Sequence, residues 1–190
     1  MPKHTPTRSD EEEFFKREEA EKKAKIRREE QLKAIRNKEQ RDVATVLETS
    51  GEVAQEAMEL GFDAETARVL PLVPLIQVAW ADGRVTAAQA EKVEKKAEKF
   101  GIAPDTPAHE FLKLLLTEQP TSVFFRRVNL VIRAMVDEDP GGEIHSNVLA
   151  WSTAVAEASG GFFGLTDPIS KHERKALAEI ATHLDKELPD

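Results

Sequence analysis

Apolar residues recur every three to four positions along most of residues 43–190, and no stretch alternates apolar with polar residues as a strand would. Such spacing places apolar side chains along one face of an α-helix. Gly61, Gly101 and Pro120 separate successive apolar stretches, as residues that end helices do. The pattern therefore predicts an all-α fold, a compact multi-helix bundle with no sheet.

One stretch, residues 75–93, organises the predicted bundle. It begins with a helix that is apolar almost all round, which is typical of a helix buried on most sides. A five-residue elbow follows, and then Thr86-Ala-Ala-Gln89, the pattern of a helix-starting capping box. A longer version returns at residues 155–177, where Ser170-Lys-His-Glu173 has the same capping pattern. We therefore expect two related helix–elbow–helix units.

Residues 1–42 follow a different pattern. We expect about the first eight to be disordered, and the rest to form a long helix rich in Glu, Lys and Arg. Glu residues recur four positions before Lys or Arg, which stabilises a solvated helix. The apolar residues do not repeat at coiled-coil spacing: Phe14, Phe15, Ile26, Leu32 and Ile35. The predicted division is a charged helical arm at 1–42 and a bundle at 43–190.

Three interpretations of the arm can be weighed from its residues. The simplest is a solvated charged helix with no further role. The second is a helix that docks on a partner protein through Phe14 and Phe15. Nucleic-acid binding is disfavoured, because basic and acidic residues alternate along the arm instead of segregating.

Composition narrows the function further. The 190 residues contain no cysteine, which excludes disulfides, thiolate metal sites and a cysteine nucleophile. The net charge of −8 is uneven, since the arm carries 13 Lys/Arg and 11 Asp/Glu against 14 and 24 in the rest. An acidic bundle argues against binding a phosphate backbone. No apolar run reaches the roughly 18–20 residues of a membrane span, so we expect a cytoplasmic protein, with peripheral membrane association left open.

Catalytic motifs are missing from the sequence. It has no Gly-x-Ser-x-Gly, no His-Glu-x-x-His, and no Lys-Ser/Thr after the glycines of residues 160–164. We therefore expect neither an enzyme nor a resident cofactor. Phe162 and Phe163, between those glycines, either fill the bundle or meet a partner protein.

Acidic turns are the candidate cation ligands. Asp82 lies in the first elbow and Asp167 in the second, while Asp137 and Asp139 begin a loop that is similar to the start of a calcium loop. Position 12 of that loop is Val148, where a calcium loop has a bidentate glutamate. The simpler interpretation is structural, with Asp82 accepting N–H groups of its own turn.

The elbow sequence Val78-Ala-Trp-Ala-Asp82-Gly-Arg-Val85-Thr86 resembles the signature of the TerB-like (tellurite-resistance B) superfamily. The resemblance covers roughly residues 65–186. In that family a glutamate usually follows three residues after the Ser/Thr; this chain has Gln89 in the first unit and Glu173 in the second. The resemblance implies a helical bundle used in stress-linked assemblies, with no catalysis and, in some members, divalent cations on acidic positions.

The sequence as a whole thus predicts a non-enzymatic helical interaction or scaffold module whose charged N-terminal helix docks on a protein partner. The alternative is a protein that binds or senses a divalent cation through Asp82, Asp167 and the loop of Asp137 and Asp139.

Overall fold

A computed structural model describes residues 8–139, 141–158 and 169–184 of the chain. These residues form helices and connecting turns without a strand, which confirms the predicted all-α class. The α-helices are α1 (Arg8–Leu47), α2 (Gly51–Glu59), α3 (Val73–Ala79), α4 (Ala87–Lys99), α5 (Pro107–Thr117), α6 (Ser122–Glu138), α7 (Glu143–Ala158) and α8 (Lys171–Leu184), and a 3-10 helix spans Ala67–Leu72. Within the described ranges, no helix combines the length and apolar character that crossing a lipid bilayer requires.

Backbone contacts divide the chain into two units, residues 1–39 and 40–190. From here on, the arm is this first unit, residues 1–39, which contains the greater part of α1. Its described side chains are almost all exposed, and neighbouring turns are linked by ion pairs of Glu with Lys or Arg four residues later. One of them joins Lys22 Nζ to Glu18 Oε1 at 2.6 Å. These local pairs, and not burial, stabilise the helix here.

The second unit, which we call the bundle, is built around α3. This helix has only seven residues, and all of them except Gln77 are buried. It packs against α4, α6, α7 and α8. The 3-10 helix containing Pro71 leads into α3, and Pro74 lies in its first turn, where a missing N–H costs nothing. A helix this short is stabilised by its surroundings, since isolated helices of this length are unstable in water.

The bundle core is formed by aliphatic residues from several helices. Ile76 of α3, Ile132 of α6 and Ile180 of α8 are all fully buried. Trp80, which follows α3, is only half-buried, and its Nε1–H donates to the Leu115 carbonyl at 2.9 Å. The polar edge of the indole thus finds a partner at the margin of the core.

Side chains cap several of the observed helix starts. Ser50 Oγ accepts the N–H of Val53 at 3.3 Å, and Thr106 caps α5 with Pro107 at its first position. Helix α7 begins at Glu143, three residues before Ser146. The Asp139 carboxylate accepts the N–H of Ile144 at 2.8 Å, so it satisfies a donor of the first turn before Ser146 is reached.

Candidate functional site

The first elbow, residues 80–86, connects α3 to α4. Gly83 has a φ of 79°, a left-handed conformation that costs glycine little, and its N–H donates to the Trp80 carbonyl at 2.8 Å. Thr86 Oγ1 accepts the N–H of Gln89 at 3.3 Å, and Gln89 Oε1 accepts the N–H of Thr86 at 2.9 Å. The predicted first capping box is therefore confirmed.

The start of α8 repeats this arrangement. Ser170 Oγ accepts the N–H of Glu173 at 3.1 Å, and Glu173 Oε2 accepts the N–H of Ser170 at 2.8 Å. Two backbone donors that the helix itself cannot satisfy are thus paired at the start of α8, as they are at the start of α4. The second predicted capping box is confirmed as well.

The two capping boxes meet inside the bundle. Gln89 Nε2 donates to Glu173 Oε1 at 2.9 Å, across 84 positions of the sequence. The side chains are 2% and 0% exposed respectively, so the bond lies in a medium of low dielectric constant. A hydrogen bond to a carboxylate is stronger there than one exposed to water. This buried pair, which we call the junction, connects the two helix–elbow–helix units.

Asp82 provides a second contact between the units. Its Oδ1 accepts the Ser170 hydroxyl at 3.1 Å and lies 3.0 Å from His172 Nδ1. The sequence instead led us to expect that Asp82 would accept N–H groups of its own turn; its hydrogen bonds in the described part of the chain lead to α8. The His172 side chain is 73% exposed, so water screens this contact strongly and it stabilises the fold by only about 0–1 kcal/mol.

Both oxygens of the Glu173 side chain accept a hydrogen bond at the junction. One oxygen accepts the Gln89 amide and the other accepts the Ser170 N–H, and both donors are neutral. A buried charge without such donors would be costly, which is why these partners are needed. The role that these bonds support is structural, because they hold the first turn of α4 against the first turn of α8.

The predicted cation ligands are dispersed. Asp139 accepts the N–H of Gly141 at 3.0 Å and that of Ile144 at 2.8 Å, while Asp137 is exposed near the end of α6. The Ile144 bond is the main cause that lowers the pKa of Asp139. Asp167 lies outside the described residues. No three His, Cys, Asp or Glu side chains meet at metal-binding geometry in the ranges the structure describes.

The predicted partner contacts are described only in part. Phe15 lies on the arm with 63% of its surface exposed. The side chain of Phe14, and the whole of Phe162 and Phe163, lie outside what the structure describes. The arm also exposes Ile26, Leu32 and Ile35, which the sequence showed only as apolar positions without coiled-coil spacing.

A cleft of about 620 Å³ in the bundle was not predicted. Its lining comes from the last turn of α1, the 3-10 helix, the end of α4, the end of α6 and α7. One end holds an edge-to-face pair, with the rings of Phe100 and Trp151 4.7 Å apart between centroids. The other end holds Glu138, Asp139 and Glu143. These residues lie on separate helices, so no local motif in the sequence could have indicated the cleft.

Glu138 is fixed at the acidic end of the cleft by neutral donors. Its Oε2 accepts the Ser50 N–H at 2.7 Å and the Thr49 hydroxyl at 2.5 Å. Hydrogen bonds from Ser50 and Thr49 lower the pKa of Glu138, so it stays ionised at neutral pH.

Neither protein-family models, nor curated proteins, nor solved structures give a match to this chain. What the protein does is therefore inferred from its own residues and their geometry. The resemblance of residues 78–86 to the TerB-like signature stays a prediction.

Proposed function

We propose that this chain is a non-enzymatic helical interaction module of the TerB-like kind, in which the arm docks on a partner protein. One observation carries the proposal. Ile26, Leu32 and Ile35 are 56%, 59% and 66% exposed on a helix whose other residues are mostly charged. A helix that only had to remain solvated would gain nothing from these side chains.

Two of these three apolar residues favour docking by one face, whereas Ile26, nine residues before Ile35, lies on the opposite side of the helix. Leu32 and Ile35 are three residues apart, so their side chains lie on neighbouring turns of the same helix face. Helices that bind in a groove of another protein use anchors at this spacing. Each Å² of apolar surface removed from water would contribute about 25 cal/mol to such docking.

The TerB-like part of the proposal is supported by the similarity between two parts of the bundle. Two helix–elbow–helix units each start their second helix with a capping box, and the boxes bond through Gln89 and Glu173. This repeated capping pattern supports the resemblance, whose signature lies at residues 78–86. In this proposal the junction keeps the bundle rigid while the arm recognises the partner.

Affinity purification from source-cell lysate tests the docking role of the arm. The bait is the full chain, and the variant is Leu32→Glu with Ile35→Glu, which adds charge and removes the apolar anchors. The matched control is Gln31→Glu with Asn37→Glu, which makes the same charge change at exposed neutral positions. We expect a stoichiometric partner with the full chain and the control, and its loss with the variant.

A variant that recovers the same partner as the full chain would overturn docking through this face. Phe14→Ala with Phe15→Ala then asks whether the predicted aromatic pair makes the contact. If neither double variant weakens recovery, the arm is not the docking element. Circular dichroism of each variant shows that helix content is unchanged.

A further inference from the structure

The cleft has the size and lining of a ligand site. Its volume of about 620 Å³ lies within the roughly 300–1,000 Å³ typical of small-molecule pockets. Between its two ends the wall is apolar, with Pro71, Met135 and Val148 among the lining residues. A ligand that covers this wall must therefore have an apolar body.

The two ends of the cleft differ in chemistry and are a fixed distance apart. Glu143 and Trp151 both belong to α7 and are eight residues apart, which corresponds to about 12 Å along a helix. Glu138 and Asp139 lie beside Glu143 at the acidic end, and Phe100 packs on Trp151 at the aromatic end. Glu48 also lies at the acidic end, because it precedes Thr49, whose hydroxyl donates to Glu138. The cleft is thus polar at one end and aromatic at the other.

Negative charge dominates the lining. Among the described lining residues there are four carboxylates, those of Glu48, Glu138, Asp139 and Glu143, and one guanidinium, that of Arg68. That guanidinium lies against Gly101, just beyond the C-terminal end of α4, where a helix favours positive charge. In the described part of the chain the hydrogen bonds to Glu138 and Asp139 come from neutral donors, so those bonds do not neutralise the two negative charges.

A lysine lies at the aromatic end of the cleft and determines which end a cationic group would occupy. Lys96 Nζ lies 5.2 Å from the centre of the Trp151 ring, so a second cation on that ring would be repelled. We propose that the cleft binds an amphipathic organic cation, with an ammonium head at Glu48 and Glu143 and an apolar chain reaching Phe100 and Trp151. The ligand class is a primary amine with a single aliphatic or aromatic tail about 12 Å long.

Nuclear magnetic resonance of the full chain tests this directly, because the protein has two tryptophans. Trp151 lines the cleft, whereas Trp80 does not and bonds to Leu115. The probe is octylammonium, titrated to about 10 mM, where a site with a Kd near 1 mM is nearly saturated. We expect a saturable shift of the Trp151 indole N–H signal and little movement of the Trp80 signal, with Trp151→Phe identifying the peaks.

Two comparison probes separate head from tail. Octanoate has a tail of similar length with a carboxylate head, and spermidine has cationic charge without an apolar tail. We expect both to move the Trp151 signal much less than octylammonium does. Equal shifts with octanoate would overturn the role of the carboxylates, and equal shifts with spermidine would overturn the role of the apolar wall.

Charge-neutral variants test the head site. Glu48→Gln with Glu143→Gln should raise the Kd for octylammonium at least about threefold, because it removes two charges that face the head. Glu56→Gln with Glu118→Gln removes the same charge from exposed positions outside the cleft and should leave the Kd unchanged. Thermal melts of both variants show that they are folded. An unchanged Kd in the cleft variant, or no shift of Trp151 with any probe, would overturn the proposal.

Discussion

The arm and the bundle are both helical, but different forces hold their helices. In the arm, the described side chains lie mostly in water and the helix depends on pairs such as Glu18 with Lys22. In the bundle, α3 has seven residues and no such pair, and it is stabilised by burial of nearly every side chain. A long helix can thus rest on many weak local contacts, whereas a short one requires a core around it.

The two regions also treat polar groups differently. Most of the described glutamates of the arm are exposed, and an ion pair contributes little there because water screens it. Glu173 of the bundle is fully buried, and its oxygens accept from Gln89 and Ser170. The same type of side chain is therefore replaceable in the arm and structurally essential at the junction.

The largest expected difference between the two regions is in how much an isoleucine-to-alanine substitution lowers the free energy of unfolding. Ile76→Ala removes a fully buried side chain from α3 and should lower the free energy of unfolding by about 2–5 kcal/mol. Ile35→Ala removes a side chain that is 66% exposed on the arm and should change it by less than about 0.5 kcal/mol. Urea titration followed by Trp fluorescence measures both.

The contrast would fail if Ile35→Ala were as destabilising as Ile76→Ala. The arm would then contribute to the cooperative unit that unfolds with the bundle. Ile180→Ala, in α8, is an independent check on the core value, because Ile180 is also fully buried.

Periodicity and capping patterns were sufficient to predict the helical class and several boundaries. Both capping boxes could be read from four consecutive residues each, because their bonds are local. The charged pairs of the arm were equally readable, since helix geometry alone brings residues four apart together. Features that depend on one turn of helix are those the sequence revealed.

Features that depend on tertiary packing were not readable. The bond between Gln89 and Glu173 joins residues 84 positions apart, and nothing local indicates that the two capping boxes face each other. For Asp82 the sequence predicts hydrogen bonds within its own turn, because only neighbours in the sequence are visible there. In the structure Asp82 contacts Ser170 and His172. The cleft, assembled from separate helices, was hidden by the same lack of a local signal.

The junction should give the next largest effect. Gln89→Ala removes the amide that donates to Glu173, and with it the oxygen that accepts the Thr86 N–H, so one oxygen of a buried carboxylate and one backbone donor lose their partners. We expect a loss of about 1–3 kcal/mol in the free energy of unfolding. Gln55→Ala is the matched control, because Gln55 is exposed on α2 and its contact with Glu59 is 3.4 Å long.

A loss in Gln89→Ala no greater than in Gln55→Ala would show that the junction does not couple the units. A double-mutant cycle with Glu173→Gln refines the result. If the bond is direct, the two substitutions should be non-additive by about 0.5–3 kcal/mol.

The smallest expected effect is on amide hydrogen exchange in the arm. It shows whether ion pairs stabilise the arm while burial stabilises α3. Glu18→Gln removes the charge that Lys22 contacts at 2.6 Å, and such a pair contributes about 0.2–0.5 kcal/mol to a helix. Amide hydrogen exchange should therefore accelerate up to about twofold around residue 20. Raising the salt to about 1 M, where the Debye length is about 3 Å, should accelerate the unmodified arm similarly. The amides of α3 should not respond to either change, because that helix contains no charged residue. A response in α3, or no response in the arm, would contradict the view that ion pairs stabilise the arm and burial stabilises the bundle.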